Sequence, residues 1–118
     1  MDMTDFYELM PRTGDIPPGA DFLITITDDC MMPYIRTGER VAVSCRETLC
    51  EMDAGIFVYK GRLVCRQWCE DITGTLHLLC ANPKREEESF SIPASEREDC
   101  ICLGKVLLSK KPEAPVYD

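Results

Sequence analysis

The chain has 118 residues, a length for one domain, and its 45% apolar share is enough for a real core without disulfides and too high for a disordered chain. Its net charge is −8, and up to Cys30 the single basic residue, Arg12, stands against Asp2, Asp5, Glu8, Asp15, Asp21, Asp28 and Asp29, which argues against direct contact with a nucleic-acid backbone by this segment. No apolar run nears the ~20 residues of a membrane span and no basic start with an apolar core reads as a signal peptide, so a cytoplasmic protein without membrane contact is expected.

Residues 1–20 read as an acidic N-terminal arm, broken by Pro11, Gly14, Pro17, Pro18 and Gly19, with one short strand near Phe6-Tyr7-Glu8-Leu9. The first firm strand spans 21–27, where Phe22, Ile24 and Ile26 alternate with Leu23, Thr25 and Thr27. It stops at Asp28-Asp29-Cys30-Met31-Met32-Pro33, because the proline lacks an N–H and pushes its predecessor out of the helical region. A thiol therefore sits where a strand turns sharply, with a short helical turn expected at Pro33-Tyr34-Ile35-Arg36. A nucleophile is often displayed at such a break; a small buried cysteine is the commoner reading of any one thiol.

Further strands are expected at 40–44, 55–59, 62–68, 76–80, 90–92 and 100–108. Lys60-Gly61 makes a two-residue hairpin turn in which the glycine takes a positive φ. Asn82-Pro83-Lys84 ends the fifth strand, residues 85–88 form a charged loop, 90–92 an edge strand, and Gly104 interrupts the last strand. From 110 on the tail is expected to be loose. No amphipathic helix of ten or more residues and no repeat is visible. About seven short strands, with seven Gly and eight Pro between and around them, make an all-β, meander-like domain.

The eight cysteines are Cys30, Cys45, Cys50, Cys65, Cys69, Cys80, Cys100 and Cys102. Without a secretory signal, an even number does not establish a disulfide framework. There are no paired Cys-x-x-Cys knuckles, and His77 is the sole histidine, so no metal or other cofactor is expected and reduced core thiols are the default.

The ordered series Asp28-Asp29-Cys30-Met31-Met32-Pro33-Tyr34-Ile35, Gly38-Glu39, Val41-Ala42-Val43, the hairpin through Val64-Cys65-Arg66-Gln67, Asn82-Pro83-Lys84 and Leu103-Gly104-Lys105-Val106 resembles the C-terminal domain of LexA-type repressors. These are self-cleaving serine peptidases related to signal peptidase. The resemblance covers roughly residues 15–108 and implies a coiled β-sheet domain over 21–109. It aligns the family's serine nucleophile with Cys30, its lysine base with Arg66 and its opening glycine with Asp28. Asp29, Met31 and Pro33 would lie along the substrate groove.

Lysine serves as a base when burial lowers its pKa, whereas arginine stays protonated, so the dyad loses its proton acceptor. A thiolate at Cys30 paired with Arg66 would be a nucleophile without a proton shuttle. The family cuts a small-residue bond, commonly Ala-Gly, ahead of this domain; no Ala-Gly lies upstream of Cys30, and Ala54-Gly55 falls in a core hairpin. The resemblance thus implies a regulatory and dimerisation domain of a LexA- or phage-repressor-like regulator, with peptidase activity lost. It would form a homodimer through exposed strand edges, with the last strand from Cys102 to Leu108 as the expected one, and reach DNA only through a separate helix-turn-helix domain that this sequence does not carry. The chain is then either a fragment or a free-standing degenerate relative. The alternatives are an active cysteine peptidase that cleaves itself or a partner, and a redox- or metal-sensing thiol protein.

Several residues carry a plainer reading. Arg66 is a surface arginine unless its face, shared with Val64 and Trp68, is covered. Cys65 should point to the opposite face as a packing residue. Met31 and Met32 fill core gaps if they do not line a groove. Trp68 is a core or dimer-face aromatic, His77 is structural or exposed, and Glu86-Glu87-Glu88 is solvated.

Overall fold

The computed structural model describes residues 16–117, so the strand expected near Phe6 lies outside the described residues. Seven strands form: β1 (Phe22–Thr25), β2 (Arg40–Ser44), β3 (Ala54–Tyr59), β4 (Arg62–Glu70), β5 (Leu76–Leu79), β6 (Phe90–Ile92) and β7 (Cys100–Leu107). They make one antiparallel sheet in the order β1-β2-β7-β3-β4-β5-β6. The all-β expectation holds, with one change to the topology. β3 to β6 run as a meander, but β7 returns from the far end to lie between β2 and β3. Strand alternation reads which residues face inward, not which strand becomes a neighbour.

β3 and β4 are the centre, and their neighbouring residues go to two different cores. Ile56 and Cys65 join Phe22, Ile24, Met31 and Ile35, while Phe57 and Val64 join Leu76, Leu78 and Ile92. Both faces are covered there, so these strands read as nearly unbroken apolar runs. The hairpin between them turns at Lys60 and Gly61, with φ of 50° and 75°. The left-handed pair matches the right-handed twist of the flanking strands. Gly104 permits a close approach: a Cβ there would meet the Ser44 carbonyl oxygen at 2.7 Å. The register shifts opposite it, between Ile56 and Phe57, so the expected interruption of the last strand is a β-bulge.

The sheet coils. β1 and β4 are separated in the order by β2, β7 and β3. Even so, residues 24–28 and 63–65 line the two sides of one narrow groove. This closure brings the turn after β1 onto the return arm of the hairpin.

Two segments differ from expectation. The charged loop is a 3-10 helix, Pro83–Glu88, whose N-cap Asn82 accepts from the Lys84 N–H; a second 3-10 helix covers Ala94–Asp99. The tail expected to be loose makes several anchoring hydrogen bonds. The Glu113 N–H donates to the Tyr34 hydroxyl and Gln67 Nε2 donates to the Glu113 carbonyl. The Tyr117 hydroxyl donates to the Cys80 carbonyl and hydrogen-bonds Ser89 Oγ. These bonds are long-range in sequence, which is why composition did not reveal them. No helix among the described residues is long and apolar enough to cross a membrane.

His77 has an acid partner. Its Nε2 lies 2.8 Å from Asp71 Oδ2 and its Nδ1 3.0 Å from Ser91 Oγ, across the β5–β6 pair. Hydrogen bonds from Thr73 first, then from His77, hold the Asp71 carboxyl well below the usual carboxylate range. A carboxyl lowered on folding stabilises the fold above its unfolded pKa, about 3.9, and that contribution is lost as pH falls through its folded value. Asp71→Asn is therefore expected to lower the thermal midpoint at neutral pH, with the gap from wild type narrowing as pH is taken down through the carboxylate range. A gap that stays constant with pH would exclude the ionised carboxylate as the cause.

Candidate functional site

β1 ends because the acids and proline after Thr27 cannot extend its ladder. The chain folds into a tight turn instead, in which the Tyr34 and Ile35 N–H groups both donate to the Met31 carbonyl, and the Met32-Pro33 bond is cis. Cys30 sits at the head of this turn, 4% exposed. The turn is tied to the segment after β5: the Asn82 N–H donates to the Cys30 carbonyl at 2.9 Å and Asn82 Nδ2 to the Asp29 carbonyl at 3.0 Å. Arg85 Nε donates to Asp29 Oδ1 at 2.9 Å. The Asn82-Pro83 motif, read in the sequence as a strand breaker, is therefore also the clamp on the cysteine turn.

Arg66 lies in β4 opposite Gly55 and is fully buried. The surface reading of this arginine fails. Its Nη1 donates to the Cys65 carbonyl at 2.8 Å, its Nε to the Glu88 carbonyl at 3.2 Å, and Nη1 lies 3.6 Å from Asp28 Oδ2. Its guanidinium carbon stands 5.7 Å from the centre of the Phe90 ring. Nη2 is buried without a hydrogen-bond partner. The guanidinium acts electrostatically on the thiols of Cys30, Cys65 and Cys80 together.

The thiolate at Cys30 that an active cysteine peptidase would use is not favoured. Burial pushes this thiol up to about 12, more than the neighbouring Arg66 pulls it down, and Asp28 and Cys80 raise it further. Cys65 is likewise pushed to about 12 by burial. A guanidinium nearby does not make a thiolate when desolvation is the larger effect.

Asp28 adds a feature that the sequence reading passed over as a missing glycine. Its Oδ1 accepts the Cys30 N–H at 3.2 Å. A nucleophile's own backbone N–H is a common donor to the developing oxyanion in acyl transfer. Here that donor faces a carboxylate, and negative charge beside it opposes a second negative charge.

The open cleft at the cysteine is lined by Asp28, Asp29, Cys30, Arg62, Arg85 and Glu88, so its mouth is charged with both signs. Asp29 lines this cleft. Met31 does not: it is 0% exposed and belongs to the main core. The helical repeat of the turn directs it inward beside Ile35. Pro33 is exposed on the outer side of the turn and does not line this cleft. Cys80, fully buried, was missed as a neighbour of the site; it sits two positions before Asn82, whose hydrogen bonds dock the segment after β5 onto the cysteine turn. Among the described residues no cluster of acids, histidines and cysteines forms a metal site.

No curated protein matches the chain. The family model described as Peptidase S24-like matches residues 2–107. With its seven-stranded coiled sheet, the chain belongs to the Peptidase S24-like family.

Proposed function

We propose that this domain is a non-cleaving member of its family, a regulatory and dimerisation module of a LexA- or phage-repressor-like regulator. The observation that carries this reading is the fully buried guanidinium of Arg66, which the resemblance aligns with the family's base, held by two carbonyls and Asp28. A guanidinium cannot take a proton from a nucleophile or return one to a leaving amine. The thiol held neutral at Cys30 and the carboxylate at its N–H support the same conclusion.

The dimerisation half of the proposal rests on β7. This strand is internal to the sheet, but β2 pairs only with residues 105–107 of it, while β3 pairs with residues 100–105. Residues 100–104 therefore have no strand partner on their β2 side among the described residues, and Ile101 and Cys102 are exposed there. An unpaired edge carrying an exposed apolar side chain favours strand addition by a second copy. The proposed contact is this half-edge, not the whole of β7.

The wild-type chain is expected to keep its intact mass through long incubation at alkaline pH. The variant Cys30→Ser with Arg66→Lys, extended by a small-residue segment ahead of the domain, is expected to gain slow cleavage, because a buried lysine is pushed toward its neutral form and can act as the base. Cleavage by the wild type that is abolished by Cys30→Ala would overturn the proposal in favour of a cysteine peptidase.

A further inference from the structure

His77 is held between an acid and a hydroxyl. Its Nε2 lies 2.8 Å from Asp71 Oδ2 and its Nδ1 3.0 Å from Ser91 Oγ. The three side chains come from three places: the turn after β4, strand β5 and the edge strand β6. The β5–β6 register sets His77 directly opposite Ser91, so both project from one face of the sheet. Leu76, Leu78 and Ile92 take the alternate positions and face the core. His77 is thereby half-buried and Ser91 exposed on the outer face. None of the three lines the cleft at Cys30.

The acid decides the tautomer. Hydrogen bonds from Thr73 first, then from His77, hold the Asp71 carboxyl well below the usual carboxylate range, so it is ionised at neutral pH and only accepts. In the neutral ring, Nε2 therefore carries the proton, and the lone pair of Nδ1 points at the Ser91 hydroxyl. A hydroxyl whose proton is aimed at a base that an acid orients is the arrangement of an activated serine. The ring is used the other way round from that of serine peptidases, and either nitrogen accepts once the other holds the proton. Cys69 stands opposite His77 on its β4 side. Burial first, then Glu51, pushes that thiol up to about 11, so it stays neutral and is no rival nucleophile.

We propose that Ser91, His77 and Asp71 form an acyl-transfer site at which small activated esters acylate Ser91. The Ser91 oxygen attacks the ester carbonyl carbon and its proton passes to His77 Nδ1. Asp71 is a positioning residue that holds the ring and stabilises the imidazolium. The carbon–oxygen bond to the leaving alcohol breaks, and His77 returns the proton to that oxygen. Water repeats the sequence on the acyl-serine and releases the acid, so the net reaction is hydrolysis of the ester. β6 ends the sheet, and no strand pairs with its outer side among the described residues. Backbone N–H groups on that side can donate to the developing oxyanion. An open face gives no hold on a long substrate, which is why the fitting class is a small ester with a good leaving group and not a peptide. This site is separate from the one at Cys30, and its activity stands or falls independently of peptide cleavage.

The test treats the folded chain with p-nitrophenyl acetate at neutral pH, quenches in acid and maps the acetyl groups by mass. Ser91 is expected to be acetylated roughly 100-fold faster than Ser95, an exposed serine without a hydrogen bond to His77. A small alkyl fluorophosphonate, whose adduct is not turned over, is expected to mark the same residue. His77→Gln should bring Ser91 down to the rate of Ser95. Asp71→Asn should do the same for a different reason. Asp71 Oδ1 accepts from the Thr73 N–H, the Thr73 hydroxyl and the Thr75 N–H, so the amide oxygen of the variant stays with those donors. Its NH2 group then faces Nε2 and moves the ring proton to Nδ1, which no longer accepts. His77 is the sole histidine, so nitrogen NMR of the imidazole reads this tautomer change directly. Equal labelling of Ser91 and Ser95 by both reagents in the wild type would overturn the proposal, and that comparison needs no variant. So would a wild-type ring protonated at Nδ1, or labelling of Ser91 that His77→Gln leaves unchanged.

Discussion

Replacing Arg66 with alanine is expected to destabilise the fold by about 3–5 kcal/mol, a large share of the 5–15 kcal/mol of a typical domain. The side chain is among the largest of the fully buried ones, and it fills space against Phe90. Its removal leaves a cavity and strips hydrogen bonds from the Cys65 and Glu88 carbonyls. The ion pair with Asp28 contributes less, because that carboxylate is 45% exposed and water replaces the lost partner. Arg66→Met separates the contributions. It keeps most of the volume and loses the hydrogen bonds, so a smaller loss of about 1–3 kcal/mol is expected. Urea unfolding of both variants measures this. An alanine variant within about 0.5 kcal/mol of wild type would mean that the arginine is a surface residue, and the assignment of its position beside Cys30 would go with it.

Met31→Ala is the second large effect, expected at about 2–5 kcal/mol. Met31 is 0% exposed and packs with Ile24 and Ile35 under the cysteine turn. Truncation opens a cavity directly beneath Cys30, and the turn can follow only by moving Cys30 from its hydrogen bonds to Asp28 and Asn82. A groove-lining methionine would behave differently, with little change in unfolding and a change in ligand or segment binding. The unfolding midpoint of this variant therefore distinguishes the observed core position from the groove position that the family pattern implied. Met32, its exposed neighbour, is the internal control and should cost little when truncated.

The contrast between these two methionines shows how far the chain could be read without coordinates. Alternation at Phe22-Leu23-Ile24-Thr25, the Lys60-Gly61 turn and the short edge strand at Phe90 are local signals, and the strands formed where those signals stand. The ordered motifs around Cys30 and Arg66 were also visible, because each is a short run of residue types with a mechanical reason. The inward face of the cysteine turn was not. One residue of rotation in a tight turn exchanges a core side chain for an exposed one, and no periodicity long enough to fix that rotation exists between Asp28 and Arg36.

Sequence alone determined that this is a β domain, with a thiol at the strand break and a guanidinium on the hairpin's return arm. Those are identities and short-range patterns, carried by residue type and spacing. Tertiary structure decided the insertion of β7 between β2 and β3, the Asn82 clamp that docks the segment after β5 onto the cysteine turn, and the capture of the Cys30 N–H by Asp28. It also decided the protonation of the thiol. Burial and a nearby cation act on the same sulfur in opposite directions, and which is larger depends on the depth and distances that only the coiled sheet sets.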